Sequence, residues 1–260
     1  MLQLKTAVRL ASFRQPLKKA LLTAARLGVS AVEIDARREL HPSGLSQTAL
    51  RHVRKLLEDL NLRVAAVAFP TRRGYEVEAD LQPRIEGTRS AMRLAYRLGA
   101  RIVVNHLGEI PQQPAARDTL RQSLCDLARF GDREGAHLAL LTSGATPQQV
   151  RELVDELPEA TLHLALDPGE LATFGIRAEA MAAECGCPVR YVYATDGVTD
   201  PARGRGVEVP LGRGVVDFPA LLGKLEEQGY DGYLCIRRHP SDQALQEISH
   251  ALEYLQALFQ

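Results

Sequence analysis

Several apolar runs in this chain end in side chains that can hold a charge or move a proton. The run Tyr233-Leu234-Cys235-Ile236 ends in Arg237, Arg238 and His239. Other runs end in Glu33 and Asp35, in Asn105 and His106 with Glu109 just beyond, in Asp167 with Glu170, and in Tyr193, Thr195 and Asp196. Arginines gather in two further places. Arg72 and Arg73 are adjacent, and Arg203, Arg205 and Arg213 lie in a glycine-rich stretch that also carries Glu208. Carboxyls and an imidazole are the usual groups for general acid–base chemistry. A guanidinium grips a carboxylate or a phosphate through two parallel hydrogen bonds. Part of this polarity is generic, because any strand turns polar as it leaves a core. The residue types nonetheless point to proton transfer on a small polar or anionic molecule.

A repeated unit must position them. A helical stretch ends near a glycine and a short β-branched apolar run follows, over residues 24–35, 94–106, 131–141, 182–193 and 225–236. Glycine accepts the left-handed backbone at a helix C-terminus and marks the helix-to-strand turn. The apolar runs do not alternate cleanly with polar residues, as expected of parallel strands covered on both faces. Residues 4–10, 62–69 and 161–167 read as further strands. Residues 16–27, 46–60 (capped by Ser46), 217–228 and 241–259 read as helices. About eight strand–helix pairs in this length match the α/β class, a (β/α)8 barrel spanning residues 1–260 as one domain. A doubly wound open sheet is the alternative. No Gly-rich dinucleotide fingerprint follows the first strand, which argues against it. In a barrel of this kind the chemistry sits at the C-terminal ends of the strands, where the residues above fall. The glycine-rich stretch after Asp196 reads as a loop, either solvated and flexible or, with Arg203, Arg205 and Arg213 as its cations, a lid over an anionic ligand.

Composition narrows the function classes. Lys and Arg total 32 and Asp and Glu total 32, so no global field attracts nucleic acid or an anionic membrane. The start of the chain lacks a secretory pattern and no apolar run is long enough to span a bilayer, so a cytoplasmic protein is expected. The expected partner is a small molecule or anion, with no nucleic acid and no membrane; the sequence allows a homodimer. Four cysteines, Cys125, Cys185, Cys187 and Cys235, form no CxxC pair, and Cys185-Gly186-Cys187 is too tight for the usual zinc spacing. They are expected as reduced thiols used in packing.

The stretches LGVSAVEID, ARIVVNHLGE, GAHLALLTSG, LALDPGEL, VRYVYATDG and LGRGVVDFPALLGKLEEQGYDGYLCIRRHP resemble the xylose-isomerase-like TIM barrel superfamily, the sugar phosphate isomerase, epimerase and AP-endonuclease group. The resemblance runs over essentially the whole chain. It implies carbohydrate chemistry in which a metal held by Glu, Asp, His and Glu polarises a hydroxy-ketone while acids and bases move a proton. At those four positions this chain has Leu141, Asp167, Tyr193 and Arg237. A leucine cannot ligate and a guanidinium repels a cation, so no metal and no other cofactor is expected there, and endonuclease chemistry is not implied. A buried guanidinium needs a partner, and Asp167 is the natural one for Arg237.

The expected activity is that of a metal-free isomerase or epimerase of a sugar or sugar phosphate. Glu33, Asp167, Glu170 and His106 are its catalytic candidates. Arg237, Arg203, Arg205, Arg72, Tyr193 and Asp196 are its substrate-binding candidates. Two alternatives stand beside it. One is a pseudoenzyme barrel that binds an anionic metabolite or a protein. The other is a divalent metal relocated to Glu33, His106, Asp167 and Glu170.

Overall fold

The computed structural model describes residues 5–142, 144–159, 161–199, 206–238 and 243–259. Seven strands come first in chain order: β1 (Thr6–Arg9), β2 (Ala31–Asp35), β3 (Arg63–Ala68), β4 (Ile102–His106), β5 (His137–Leu141), β6 (His163–Leu166) and β7 (Val189–Ala194). A short antiparallel hairpin, β8 (Asp196–Val198) and β9 (Val207–Val209), precedes the last barrel strand, β10 (Leu234–Ile236). The barrel is closed and parallel in the order β1-β10-β7-β6-β5-β4-β3-β2. Around it run α1 (Leu17–Arg26), α2 (Gln47–Asp59), α3 (Leu81–Arg97), α4 (Pro114–Glu134), α5 (Pro147–Asp155), α6 (Pro168–Thr173), α7 (Ala178–Glu184), α8 (Phe218–Glu227) and α9 (Ala244–Leu258). The expected (β/α)8 barrel is the observed one. The Ser46 cap is also present, its hydroxyl accepting the Ala49 N–H at 3.1 Å. Among the described residues no helix is long and apolar enough to cross a membrane.

Successive strand residues face opposite sides of the sheet, and this alternation sorts the core into two layers. Val8, Val32, Ile34, Leu140, Leu164, Val192 and Ile236 face outward and pack in the strand–helix layer. Ala7, Ala31, Ala65, Ala66, Val104, Ala139, Leu141, Ala165, Tyr191, Tyr193 and Cys235 fill the barrel. An eight-stranded barrel has room only for stacked side chains. Alanines on β1, β2, β3, β5 and β6 leave space for Tyr191 and Tyr193, whose rings meet edge to face at 5.3 Å. Two residues further along each strand, the same inward set reaches Arg9, Glu33, His106, Asp167 and Arg237, with Asp35 two beyond Glu33. The polar floor of the mouth is therefore a consequence of strand parity. Asn105, on the opposite parity, turns away and ties down the loop after β3. Its Oδ1 accepts the Thr71 N–H at 3.0 Å and its amide donates to the Tyr75 hydroxyl at 2.7 Å.

The stretch after Asp196, read as a loop, contains the β8–β9 hairpin instead. Its strands have only three residues each, too short for a periodic signal. Asp196 holds its base. Its carboxylate, fully buried, accepts four backbone N–H groups: Gly197 at 2.9 Å, Val216 at 3.1 Å, Gly212 at 3.0 Å and Gly214 at 2.8 Å. The hairpin also lies against α6 backbone to backbone. A Cβ on Gly169 would come within 2.8 Å of the Asp196 nitrogen, and one on Gly197 within 2.4 Å of the Gly169 oxygen. Only glycine fits such an approach.

Replacing Asp196 with alanine strands those amides inside the protein. Asp196→Ala is expected to lower stability by about 3 kcal/mol in urea denaturation and to speed amide exchange at Gly212, Gly214 and Val216 above that of the barrel strands.

Candidate functional site

Arg237 follows β10 and enters the mouth as its parity dictates. Its Nη2 lies 2.8 Å from Asp167 Oδ2 and 3.0 Å from Glu208 Oε2. Its guanidinium carbon stands 5.4 Å from the centre of the Tyr193 ring, a cation–π contact. The expected Arg237–Asp167 pair is present; Glu208, on β9, is a second partner. Asp167 is almost fully buried and also caps α6, its Oδ1 accepting the Glu170 N–H at 3.1 Å and the Thr195 hydroxyl at 2.5 Å. Arg238 turns the other way. It binds Glu208 at 2.8 Å, Glu247 at 2.7 Å and the Val209 carbonyl at 2.8 Å, and so clamps the hairpin to α9.

A second cation faces the first from β1. Arg9 lies 3.3 Å from Glu33 Oε1 and 3.5 Å from Asp35 Oδ2, and both acids are fully buried. Burial raises the Glu33 pKa above the usual carboxylate range; Arg9 opposes this most, then the Tyr193 and Tyr191 hydroxyls and Arg237. Neither Glu33 oxygen has a hydrogen bond of good geometry, so burial outweighs those partners. Glu39 lies just behind. Its Oε2 accepts the Asp35 N–H at 2.7 Å, and burial pushes its pKa up to about 7.

His106 and Glu170 complete the inner ring. Burial lowers the His106 pKa, and the Arg237 charge lowers it further, so the neutral imidazole is favoured. Burial raises that of Glu170, with the neighbouring Asp167 charge adding to it and Arg237 opposing. A cleft of about 780 Å³ opens beside this ring, with His106 on its wall and Arg72, Arg73, Glu109, Thr142 and Gln149 around it. Arg237, Asp167 and Glu33 do not line it.

Glu33, His106, Asp167, Glu170, Tyr193 and Arg237 thus come together, as expected. Arg72 is exposed, one wall of the cleft away from them. Asp196 is near in sequence but committed to backbone amides, with no oxygen facing the mouth unpaired. Arg203, Arg205, Ser143 and His239 lie outside the described residues. Sequence reasoning missed Arg9 and Glu39, and noted Glu208 without the partner it takes. Arg9 was detectable, since it ends the first apolar run in the way that Arg237 ends the last. The pairing of Glu208 was not, because only the hairpin brings it over the mouth.

At the positions that the resemblance gives to metal ligands stand Leu141, Asp167, Tyr193 and Arg237. Only Asp167 offers an anionic oxygen, and Arg237 Nη2 sits 2.8 Å from it. The Tyr193 pKa is pushed well up by burial, which keeps the phenol protonated. Among the described residues no group of three or more His, Cys, Asp or Glu side chains is arranged to hold a metal ion.

The closed parallel barrel is a xylose isomerase-like TIM barrel, a fold also found in sugar epimerases. The model of the xylose isomerase-like TIM barrel family matches residues 21–258, and the chain belongs to that family. An uncharacterised protein of Methanocaldococcus jannaschii is 26% identical over 215 residues, covering 70% of this chain and 71% of that one. Among solved structures, a xylose isomerase domain protein from Planctomyces limnophilus superposes with a TM-score of 0.85 at 20% identity, covering 98% of this chain and 97% of that one. A D-tagatose 3-epimerase-like protein does so with 0.79 at 20% identity, covering 98% of each chain. At such identities the structures share the fold.

Two outcomes follow from the charges. Arg237→Leu leaves buried Asp167 without a cation, while Glu208 keeps Arg238, and is expected to cost roughly 3 kcal/mol in denaturant unfolding. Glu39 binds its proton more tightly folded than unfolded. Its contribution is therefore full below about 4.5 and is lost as pH rises through about 7. Glu39→Gln keeps an acceptor for Asp35 and removes that loss, so its stability relative to wild type should rise between those two pH values in paired melting curves.

Proposed function

We propose that this barrel isomerises or epimerises a small sugar-like, anion-bearing substrate by proton transfer, without the divalent metal of its family. The observation that carries the reading is the place of Arg237. Its guanidinium lies against the one remaining ligand-type carboxylate, where a second cation would be repelled. The donors present do not fit a divalent ion. The relocated set fits no better, because Glu33 is paired with Arg9 and Asp167 with Arg237.

In this reading Glu170 is the proton acceptor. It is half-buried, and its raised pKa makes it a stronger base than an exposed carboxylate. As a carbonyl neighbour loses a proton, negative charge grows on the carbonyl oxygen. Neutral His106 donates a hydrogen bond to that oxygen, and Arg237 supplies a fixed positive charge beside it. Asp167, bound by Thr195, the Glu170 N–H and Arg237, holds the guanidinium in place and is not itself a base. Glu33, beneath Arg9, sets the charge of the floor. The phosphate or carboxylate of the substrate lies in the cleft against Arg72 and Arg73, for which no ion pair is formed among the described residues. A second reading, an inactive barrel that holds a small anion or a protein, is favoured by one fact: Arg237 Nη2 is already shared by two carboxylates.

Solvent-deuterium exchange into ketoses, aldoses and their phosphates, followed by proton NMR, separates the two. Exchange that survives a chelator and falls about 100-fold in Glu170→Gln supports the enzyme. Exchange that requires added manganese or magnesium overturns the metal-free reading. A rise in melting temperature with sugar phosphates and no exchange with any of them supports the binding reading.

A further inference from the structure

The turn between α7 and β7 carries Cys185-Gly186-Cys187, a pair of thiols that the barrel mouth does not use. It lies beyond the opposite end of β7 from Tyr193, away from the acid–base ring. The Cys187 S–H points at Cys185 Sγ, 3.8 Å away. Gly186, at φ +76°, folds the chain so that the two side chains fall on one side. A Cβ there would lie 2.6 Å from Arg151 Cδ and 2.9 Å from its Nη1. A guanidinium is therefore packed over the thiol turn. Its contact with Asp155, at 3.1 Å, is an exposed i,i+4 pair that holds it only weakly.

Access differs between the two sulfurs. Cys185 is fully buried, whereas Cys187 is partly exposed and lines a cavity of about 420 Å³. Gly186, Pro188, Arg190, Gln228 and Tyr230 also line that cavity. Arg190 gives it a cation suited to the carboxylate of a peptide thiol. We infer that Cys185 and Cys187 form a dithiol site that exchanges with low-molecular-weight disulfides of the glutathione class and closes reversibly into a Cys185–Cys187 disulfide.

The exchange balances. Cys187 attacks one sulfur of the small disulfide, whose other half leaves as a thiol carrying the proton that Cys187 loses. Cys185 then attacks Cys187 Sγ in the mixed disulfide and expels the second small thiol, which takes the Cys185 proton. Two protein thiols and one small disulfide become one protein disulfide and two small thiols. The S–H···S contact holds one negative charge across the pair, lowering the Cys185 pKa to about 7, with Arg151 assisting, and raising that of Cys187. The pair therefore loses its first proton readily, and Cys187 attacks when the remaining proton sits on Cys185. Cys235, inside the barrel, is held protonated by burial and serves as an internal reference.

The test is intact-mass and peptide mapping of the native protein treated with glutathione disulfide at neutral pH. The expected product has lost two hydrogens, carries a link between residues 185 and 187, and reverts with dithiothreitol. Cys185→Ser should stop at a glutathione adduct on Cys187, and Cys187→Ser should give neither product. Arg151→Gln should slow closure roughly tenfold. A stable glutathione adduct on wild-type Cys187, or wild-type protein that loses no hydrogens and gains no adduct, overturns the site. If a serine variant does not fold, phenylarsine oxide on the wild type decides. One equivalent should protect both cysteines from alkylation, and protection of neither overturns the inference.

Discussion

Two positive charges stand in the mouth of a barrel whose interior is otherwise largely apolar, and each must be neutralised by carboxylates carried on other strands. Arg9 uses Glu33 and Asp35 from β2. Arg237 uses Asp167 from the end of β6 and Glu208 from β9. An uncompensated buried charge costs several kcal/mol. The pairs therefore constrain which strand ends may lie together and how the segment after β7 must run. Glu208 reaches Arg237 only if that segment folds back as a hairpin. Asp196, Gly169 and Gly197 make the fold-back possible by binding the returning backbone and by leaving no side chain in its way.

The same charges organise the acid–base ring. Arg237 opposes the upward shift of Glu170 and deepens the downward shift of His106. One guanidinium thus acts on the proton affinity of two neighbours, the electrostatic task a metal performs in many enzymes of this kind. A guanidinium differs from a metal in that it cannot take a substrate oxygen into a coordination shell. It offers directed N–H donors at a fixed distance, and Nη2 of Arg237 is already shared. Whether substrate displaces Glu208 from it sets the difference between a working site and a sealed one.

The ring and the open cleft beside it differ in packing. The ring is packed, with its acids buried beneath guanidinium and phenol groups. The cleft is open and carries Arg72 and Arg73. His106 belongs to both. Fold kinship with sugar epimerases and isomerases agrees with such a site without specifying its substrate, because one barrel supports many chemistries through its loops.

Much of this was legible in the order of residues. Glycine-punctuated helix–strand units announced the closed barrel, since unbroken apolar runs suit strands covered on both faces. The ends of those runs, read with the positions that the resemblance gives to metal ligands, put Glu33, His106, Asp167, Tyr193 and Arg237 at one mouth, and the need to pair a buried guanidinium named Asp167 as the partner of Arg237. The first run contained the same signal in Arg9, two residues past Ala7. What the sequence could not determine was the use of groups brought together from distant loops. Asp196 has the composition of a site residue but serves as an acceptor for four amides, because the chain after it returns within hydrogen-bond range. Glu208 lies in a glycine-rich stretch with no periodicity, and strands of three residues leave no pattern to read. Periodicity fixes which way a side chain faces along its own strand. Only the closed tertiary structure decides which strand ends become neighbours, and so which charges must cancel.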